Sequence, residues 1–161
     1  MLKNRGLGLV ELLVGLMILS ILFFFCMPLG QRLYQNNQLE LIKDEITAVV
    51  NYAKTMAILN ELPLALTPLP GARDWSAGML LFIDNKEHQY KNKRQLIHQW
   101  QWKNQGIRVS WRGFNSTQHL IFARDLRHSA LSGHFIIEGV QGKMIKLTLN
   151  RLGRMTCAII A

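Results

Sequence analysis

The fold of this chain is decided by Gly6-Leu7-Gly8-Leu9-Val10-Glu11-Leu12-Leu13, the start of a long apolar segment. From Leu12 to Gly30 no residue is charged. At about 1.5 Å per residue, a helix of this length approaches the roughly 30 Å hydrocarbon core of a bilayer. Lys3 and Arg5 precede the segment, which predicts an amino terminus on the cytoplasmic side. We therefore expect a transmembrane helix over residues 7–30.

Two common kinds of segment share this apolar composition. A secretory signal peptide has an apolar stretch of about 7–15 residues that ends at a small-residue cleavage site. This run is longer, and the residues around Pro28 hold no such site. An ordinary membrane anchor does not explain Glu11, because an acidic side chain inside a membrane helix costs about 2.5 kcal/mol or more. A bitopic membrane protein of another class is a further alternative, and it predicts that Met1 is retained.

The stretch from Gly6 to Leu13 resembles the class III leader of type IV pilins and type II secretion pseudopilins. The resemblance implies that residues 1–6 are a leader, which a prepilin peptidase removes between Gly6 and Leu7. It also implies N-methylation of Leu7, which stands where the family usually has Phe, and a glutamate at the fifth mature position, here Glu11. Such a buried carboxylate can be offset by the terminal amine of a neighbouring subunit, a pairing that sets register in a filament.

The same resemblance implies a location and partners. The chain is expected in the bacterial inner membrane as a single-pass protein before assembly, with its amino terminus cytoplasmic. After assembly it is expected in the periplasm and the pilus. Its implied partners are the prepilin peptidase, the inner membrane and other major and minor pilins.

A helical pattern continues beyond the apolar segment. Apolar residues recur there at spacings of three and four, which is typical of one buried helix face. They are Leu39, Ile42, Ile46, Val49, Val50, Ala53 and Ala57. We expect a helix that runs from Leu7 to near Asn60, with an amphipathic half over residues 31–62. Pro63, Pro68 and Pro70 predict that the helix ends and a turn-rich connection follows.

The remainder, residues 63–161, is predicted to be rich in β-structure. Short segments that alternate or are continuously apolar lie between turn residues. They are Met79–Ile83, Ile107–Arg112, His119–Ala123, Gly133–Glu138, Lys143–Asn150 and Met155–Ile160. Their close spacing, without a helical pattern between them, favours antiparallel sheets that form a small sandwich.

Two further stretches narrow the resemblance. Residues 74–84, with Trp75, Gly78 and Asp84 around an apolar run, resemble a segment of the H-type pseudopilins and FimT-like minor pilins. Residues 150–155 resemble their closing hairpin, which often carries a G-R-x-R motif, although Thr156 replaces its second arginine. The implied fold is the α+β type IV pilin-like fold, in which a long amino-terminal helix, half of it transmembrane, packs on antiparallel sheets.

Charge is distributed unevenly along the 161 residues. The chain has 19 Lys and Arg against 10 Asp and Glu, and 49% of it is apolar, which excludes a basic disordered tail. Residues 1–83 are neutral overall, whereas residues 84–161 hold thirteen basic and four acidic side chains. The net charge of +9 therefore lies entirely in the carboxy-terminal half. A solvated surface usually mixes both signs.

Two groups of basic residues make up most of this excess. The first is Lys143, Lys146, Arg151 and Arg154, around the predicted closing hairpin. The second is looser and comprises Lys91, Lys93, Arg94, Arg108, Arg112, Arg124 and Arg127. Lys and Arg neutralise phosphates, which is the usual source of DNA affinity without sequence preference.

We predict that the first group binds the DNA backbone, and that Arg108, Arg112, Arg124 and Arg127 add contacts. The backbone amides of the turn Leu152–Arg154 are a further expected phosphate contact. The predicted function is a minor type IV pilin that binds DNA non-specifically and supports DNA uptake in natural transformation.

Other interpretations of the basic face stay open at this stage. It can dock an acidic neighbouring subunit or lipid head groups, or it can be solvated. The structural alternative is a minor pseudopilin of a type II secretion system, or a subunit that primes pilus assembly. Trp111 shares its strand face with Ile107 and Val109 and is expected in the core. For Trp100 and Trp102, core packing and base stacking are both open.

No enzymatic signature is present in the sequence. The five histidines, at positions 88, 98, 119, 128 and 134, lack a metal-ligand spacing, and no phosphate-binding glycine loop follows a strand. We therefore expect no catalytic residue, no cofactor and no metal site. Cys26 and Cys157 are expected in the membrane helix and the last strand, so a disulfide between them is not expected.

Overall fold

A computed structural model describes residues 8–102, 106–125, 129–140 and 142–160, with only the backbone at 25–29 and 31–36. Its long helix, α1, runs over Leu9–Asn60 and confirms the predicted amino-terminal helix. By its contacts the chain divides into two compact units between Asn37 and Gln38. The predicted boundaries 1–6, 7–30, 31–62 and 63–161 stay predictions.

The first unit holds the start of α1. The backbone N–H of Gly8 donates to Glu11 Oε2 at 3.2 Å, and the N–H of Leu12 donates to the Gly8 carbonyl at 3.2 Å. Gly8 is thus the N-cap, and the Glu11 carboxylate accepts from its N–H, which is one half of a capping box. The processing residues Gly6 and Leu7 lie outside the described residues.

Among the residues that the structure describes, no helical segment has the combination of length and apolar character that a bilayer crossing requires.

In the second unit α1 packs on the globular domain through the predicted face. All seven residues of the stripe are buried: Leu39, Ile42, Ile46, Val49, Val50, Ala53 and Ala57. Their spacing of three and four residues places them on one side of the helix, and this side joins the main core.

The described strands form two antiparallel four-stranded sheets. The strands are β1 (Leu64–Pro68), β2 (Gly78–Ile83), β3 (Leu96–Gln101), β4 (Arg108–Gly113), β5 (Leu120–Phe122), β6 (Gly133–Glu138), β7 (Met144–Leu149) and β8 (Met155–Ile160). Sheet A has the order β3-β2-β1-β5, and sheet B has the order β4-β6-β7-β8. Both sheets contribute to the core that α1 covers, so the predicted α+β pilin-like fold is confirmed.

Two strands were not among the predicted segments. The sequence of β1 contains Pro68 and follows Pro63, and these prolines favoured a turn-rich connection. Pro68 is tolerated because it ends the strand, beyond the residues of β1 that pair with β5. The edge strand β3 pairs with β2 through a register shift between Leu81 and Phe82. Its half-exposed, mixed composition gives only a weak strand pattern.

Trp111 is buried, as predicted, and it organises one end of sheet B. Its ring lies 4.6 Å from that of Phe135, and its Nε1 donates to the Ser116 carbonyl at 2.9 Å. A Cβ on Gly113 or Gly133 would lie within 2.6 Å of the indole, so glycine is required at both positions. The turn that follows β4 therefore bends tightly around a buried tryptophan.

Candidate nucleic-acid interface

The candidate interface begins on the face of sheet B that points away from the core. Along β4, Val109 and Trp111 are buried, whereas Arg108 and Arg112 are exposed, because successive side chains of a strand point to opposite faces. On β7 the same alternation places Lys146 on the outer face, between the buried Ile145 and Leu147. We call this surface the outer face of sheet B.

The pairing of strands brings basic residues of the two predicted groups together. Arg112 pairs with His134, which in turn pairs with Thr148, while Lys146 pairs with Ile136 one row away. Burial lowers the pKa of His134, and the positive charges of Lys146 and Arg112 lower it further. The positive charges of Arg112 and Lys146 therefore both act on the His134 imidazole, although the two residues are 34 positions apart in the sequence.

Arg108 lies at the other end of the same face. It is paired with Glu138 on β6, which is the acidic residue of this strand. An opposite charge directly across a strand pair offsets the basic side chain. Within the described part of sheet B, the net positive charge is therefore greatest at the end where Arg112 and the β7–β8 hairpin lie.

The β7–β8 hairpin, residues 150–154, is built around Asn150. The Oδ1 of Asn150 accepts from the N–H of Leu152 at 3.0 Å and of Arg154 at 2.8 Å. The Gly153 N–H donates to the Asn150 carbonyl at 2.9 Å. The prediction that these three amides contact phosphate is wrong, because Asn150 already occupies them all.

A second set of contacts holds the hairpin against α1. Lys54 Nζ donates to the Leu152 carbonyl at 3.0 Å. Gly153 is buried with φ +72°, a left-handed conformation that favours glycine, and a Cβ there would lie 3.3 Å from Lys54 Cδ. Arg151 and Arg154 flank this fixed glycine and are both exposed, so the turn presents two guanidinium groups from a rigid backbone.

The other predicted contacts are dispersed. Lys143 is half-buried just before β7, and its carbonyl accepts from the Gly139 N–H at 2.9 Å. Arg124 Nη1 forms an ion pair with Glu61 Oε1 at 2.6 Å, at the end of α1. Arg127 lies outside the described residues.

The remaining members of the looser group lie in the connection between β2 and β3 of sheet A. Lys91 forms an ion pair with Glu87 in the connection between β2 and β3, and Lys93 and Arg94 lie in a short 3₁₀ helix of that connection. The looser group is therefore not one surface. Among the described residues of this group, Arg108 and Arg112 lie on the outer face of sheet B.

The tryptophans left open by the sequence pack against the main core. Trp100 and Trp102 are both half-buried against it. The ring of Trp100 lies 5.5 Å from Tyr52 of α1 and 4.4 Å from His98. Both residues thus have a packing role at the edge of sheet A, and neither belongs to the outer face of sheet B.

Sequence reasoning missed two groups that the fold creates. The rings of His88 and His119 stack with centroids 4.6 Å apart, and His88 Nδ1 lies 2.8 Å from Asp84 Oδ1. Burial, followed by the charge of His88, lowers the pKa of His119, while Asp84 opposes this shift. The second group is His134 with its basic neighbours; the available signal was the alternation of basic and apolar residues around Arg112 on β4 and Lys146 on β7.

Comparisons with known proteins agree with this description. Residues 1–26 match the family described as the prokaryotic N-terminal methylation motif. Two crystal forms of the type IV minor pilin FimU of Pseudomonas aeruginosa are similar in structure, each at 15% sequence identity. One covers 81% of this chain and 92% of FimU with a TM-score of 0.58; the other covers 76% and 91% with a TM-score of 0.54. No curated protein matches the sequence.

The structural comparison assigns this chain the type IV pilin-like fold. The likeness to FimU is one of fold, since at this identity only the architecture is shared. The chain thus has the fold of a minor pilin and carries the methylation motif at its amino terminus.

Proposed function

We propose that this protein is a minor type IV pilin that binds DNA non-specifically and supports DNA uptake in natural transformation. The observation that carries the proposal is that Arg112 and Lys146 share the outer face of sheet B beside His134, and that Arg151 and Arg154 are exposed in the hairpin at the Arg112 end of the sheet. These residues come from both basic groups of the sequence, and Glu138, the acidic residue of β6, lies at the end of that strand away from Arg112 and the hairpin.

The geometry suits backbone contact rather than base reading. The outer face of sheet B is made of extended strands, and its basic side chains are separated by short polar and apolar ones such as Thr148 and Ile136. Contacts to phosphate position a protein on DNA but carry no sequence information. If four phosphates are neutralised, the logarithm of the affinity falls with the logarithm of salt with a slope of about −3.6.

The test is a salt titration of DNA binding by the full chain in detergent. Binding of a short mixed-sequence duplex is measured by fluorescence anisotropy over about 50 to 200 mM salt. We expect the double variant Lys146→Glu and Arg154→Glu to lower the affinity and to make the slope shallower by about two. The matched control is Lys93→Glu with Arg94→Glu, which changes the charge equally beside sheet A.

Two results would contradict the proposal. One is the absence of salt-sensitive binding by the wild-type chain. The other is an equal loss of affinity in the two double variants, since that would mean that only net charge matters.

A structural role is the second candidate, and the edge strand β8 favours it. Residues 145 and 147 of β7 are buried on the core side, but their partners Ile159 and Cys157 on β8 are exposed, with Ile159 61% accessible. An uncovered edge strand can pair with another chain. This role is that of a pseudopilin of a type II secretion system, or of a subunit that primes pilus assembly. The structural role is supported if deletion of the gene abolishes piliation or secretion and if complementation with the variant carrying Lys146→Glu and Arg154→Glu restores it.

Processing is proposed to follow the family pattern. The leader 1–6 is removed between Gly6 and Leu7 by a prepilin peptidase in the inner membrane, and Leu7 is N-methylated. After assembly with major and minor pilins, Glu11 pairs with the terminal amine of a neighbouring subunit instead of capping its own helix. Mass spectrometry of the protein from its host tests this scheme; retention of Met1 and an unmethylated Leu7 would overturn it.

A further inference from the structure

A groove borders the basic end of sheet B. It encloses about 470 Å³ and lies between the turn after β4, the segment before β6 and the β7–β8 hairpin. The residues that line it include Phe114, Asn115, Ser129, Ser132 and Arg151. One guanidinium, one aromatic ring and several neutral polar groups thus surround the same space.

Phe114 is the most exposed large apolar residue described, at 90%. It is exposed because the turn that carries it is held on both sides. The Phe114 N–H donates to the Ser132 carbonyl at 2.8 Å, and two residues later the Ser116 carbonyl accepts from the Trp111 indole at 2.9 Å. Because Gly113 packs against the same indole, this backbone has little freedom to turn the ring inward.

We propose that this groove takes an unpaired nucleobase, which stacks on Phe114 while Arg151 contacts a neighbouring phosphate. The inference rests on the proposed DNA-binding function and specifies it, because it makes single-stranded DNA the tighter ligand. The ring supplies a face on which every base can stack, so the preference is for strand type and not for sequence. Asn115 and Ser132 supply hydrogen-bonding groups beside the ring for the edge of the base.

A duplex cannot use the groove in the same way. In double-stranded DNA each base is already stacked on its neighbours, and its removal from the stack costs a few kcal/mol. In a single strand the bases are free to splay onto an aromatic side chain, as they do in other single-strand binding proteins. A fixed turn adds to the effect, because little conformational entropy is lost when the base binds.

The test compares three probes with the same number of phosphates: a thymine oligonucleotide, a duplex, and an abasic oligonucleotide. Binding to the full chain in detergent is measured at one salt concentration. We expect Phe114→Ala to lower the affinity for the thymine strand about tenfold and to leave the duplex affinity unchanged. We expect Phe114→Trp to retain the affinity for the thymine strand. Leu152→Ala, another exposed apolar residue at this end, is the matched control and should change neither.

The abasic probe separates stacking from charge. If Phe114 stacks on a base, Phe114→Ala should not weaken binding of the abasic strand. Equal losses for the thymine strand, the abasic strand and the duplex would overturn the inference and leave backbone binding standing. An unchanged thymine affinity in Phe114→Ala would also overturn it. If the wild-type chain binds none of the probes, the proposed function fails as well.

Discussion

The two sheets share one core, yet their outer faces differ. On sheet A the outer face is a second, small core. Ala65, Leu80 and Phe82 are buried there, and Tyr90 and Leu96 pack against them. The Tyr90 and Phe82 rings meet edge to face, with centroids 5.8 Å apart. This sheet is therefore covered on both sides by its own chain.

Sheet B has no such cover in the described residues. Its outer face presents Arg112, His134 and Lys146 as exposed or half-buried side chains. The connections explain the difference. The long link 84–95 between β2 and β3 folds back over sheet A, whereas the links 139–143 and 150–154 of sheet B are tight turns.

Sheet A thus contributes buried surface to the stability of the domain on both of its faces, whereas sheet B leaves one face accessible to a partner. Burying sheet A on both sides makes its strands apolar, as in the continuous run of β2. A sheet face without cover must stay largely polar, and the charged residues of this face are Arg108, Arg112 and Lys146 against Glu138. Arg108, Arg112 and Lys146 therefore lie on the one sheet face that the described connections leave uncovered, whereas other basic residues of the carboxy-terminal half lie in the connection between β2 and β3.

The largest expected effect is the loss of the cover on sheet A. Phe82→Ala removes a fully buried ring from the second core and should lower the free energy of unfolding by about 3–5 kcal/mol. DNA affinity per folded molecule should not change. The free energy of unfolding is measured by urea unfolding of the full chain in detergent, monitored by tryptophan fluorescence. The DNA affinity is measured by fluorescence anisotropy. A parallel loss of DNA affinity under native conditions would show that the two faces are not independent.

The next effect concerns the charge of sheet B. Thr148→Glu adds one carboxylate beside His134 on its outer face, and Gln99→Glu adds one to the exposed outer side of β3 on sheet A. We expect the first variant to weaken duplex binding and to make the salt slope shallower by about one. The second should match the wild type. Similar slopes for both variants would show that DNA does not distinguish the two faces.

A smaller effect is expected at the hairpin. Asn150→Ala removes the acceptor of two backbone amides and should lower the free energy of unfolding by roughly 1–2 kcal/mol. The control is Asn92→Ala, because Asn92 accepts one longer bond, from the Arg94 N–H at 3.3 Å. The free energy of unfolding should fall less in Asn92→Ala than in Asn150→Ala. If Asn150→Ala strengthens DNA binding, the freed amides contact phosphate; we expect it to weaken binding, since the hairpin loses its shape.

Much of this fold could be predicted from the sequence. A helical stripe depends only on spacing along one element, and all seven of its predicted residues are buried. The strand β1 was not predicted, because a proline such as Pro68 argues against a strand unless it lies at the strand end. Its position in the centre of sheet A is set by pairing with β2 and β5, which no local pattern contains.

The sequence predicts that the candidate site is basic, but it does not predict which of the basic residues lie on it. Charge alone grouped Arg124 with Arg112, but Arg124 follows β5 of sheet A and pairs with Glu61, 63 positions earlier, so it is not part of the outer face of sheet B. The glycine turn Leu152–Arg154 suggested amide contacts to phosphate, because the hydrogen bonds that the Asn150 side chain accepts from this turn leave no mark in the sequence. Phe114 was missed for the opposite reason: a lone apolar residue near a turn is common, and only the groove beside it gives it a role.

The smallest expected effect is the pH dependence that His134 adds to the outer face of sheet B. Burial, with Lys146 and Arg112 nearby, lowers the pKa of His134 below its ordinary value, so the unfolded chain takes up the proton more readily. Its contribution to stability is therefore present above about pH 6.5 and is lost as the pH falls through the folded pKa. The pH dependence of DNA affinity should have the opposite sign, because a bound phosphate favours the protonated imidazole of His134.

Acidification should thus weaken the fold and strengthen DNA binding at the same residue. The measurement is unfolding and duplex affinity from about pH 8 to about pH 5, for the wild type and for His134→Gln. His119, whose pKa is also lowered, adds the same stability trend to both proteins, so their difference isolates His134. A rise in affinity that is equal in both would assign the effect to other groups and would remove His134 from the DNA-binding face, while Arg112 and Lys146 would keep their roles there.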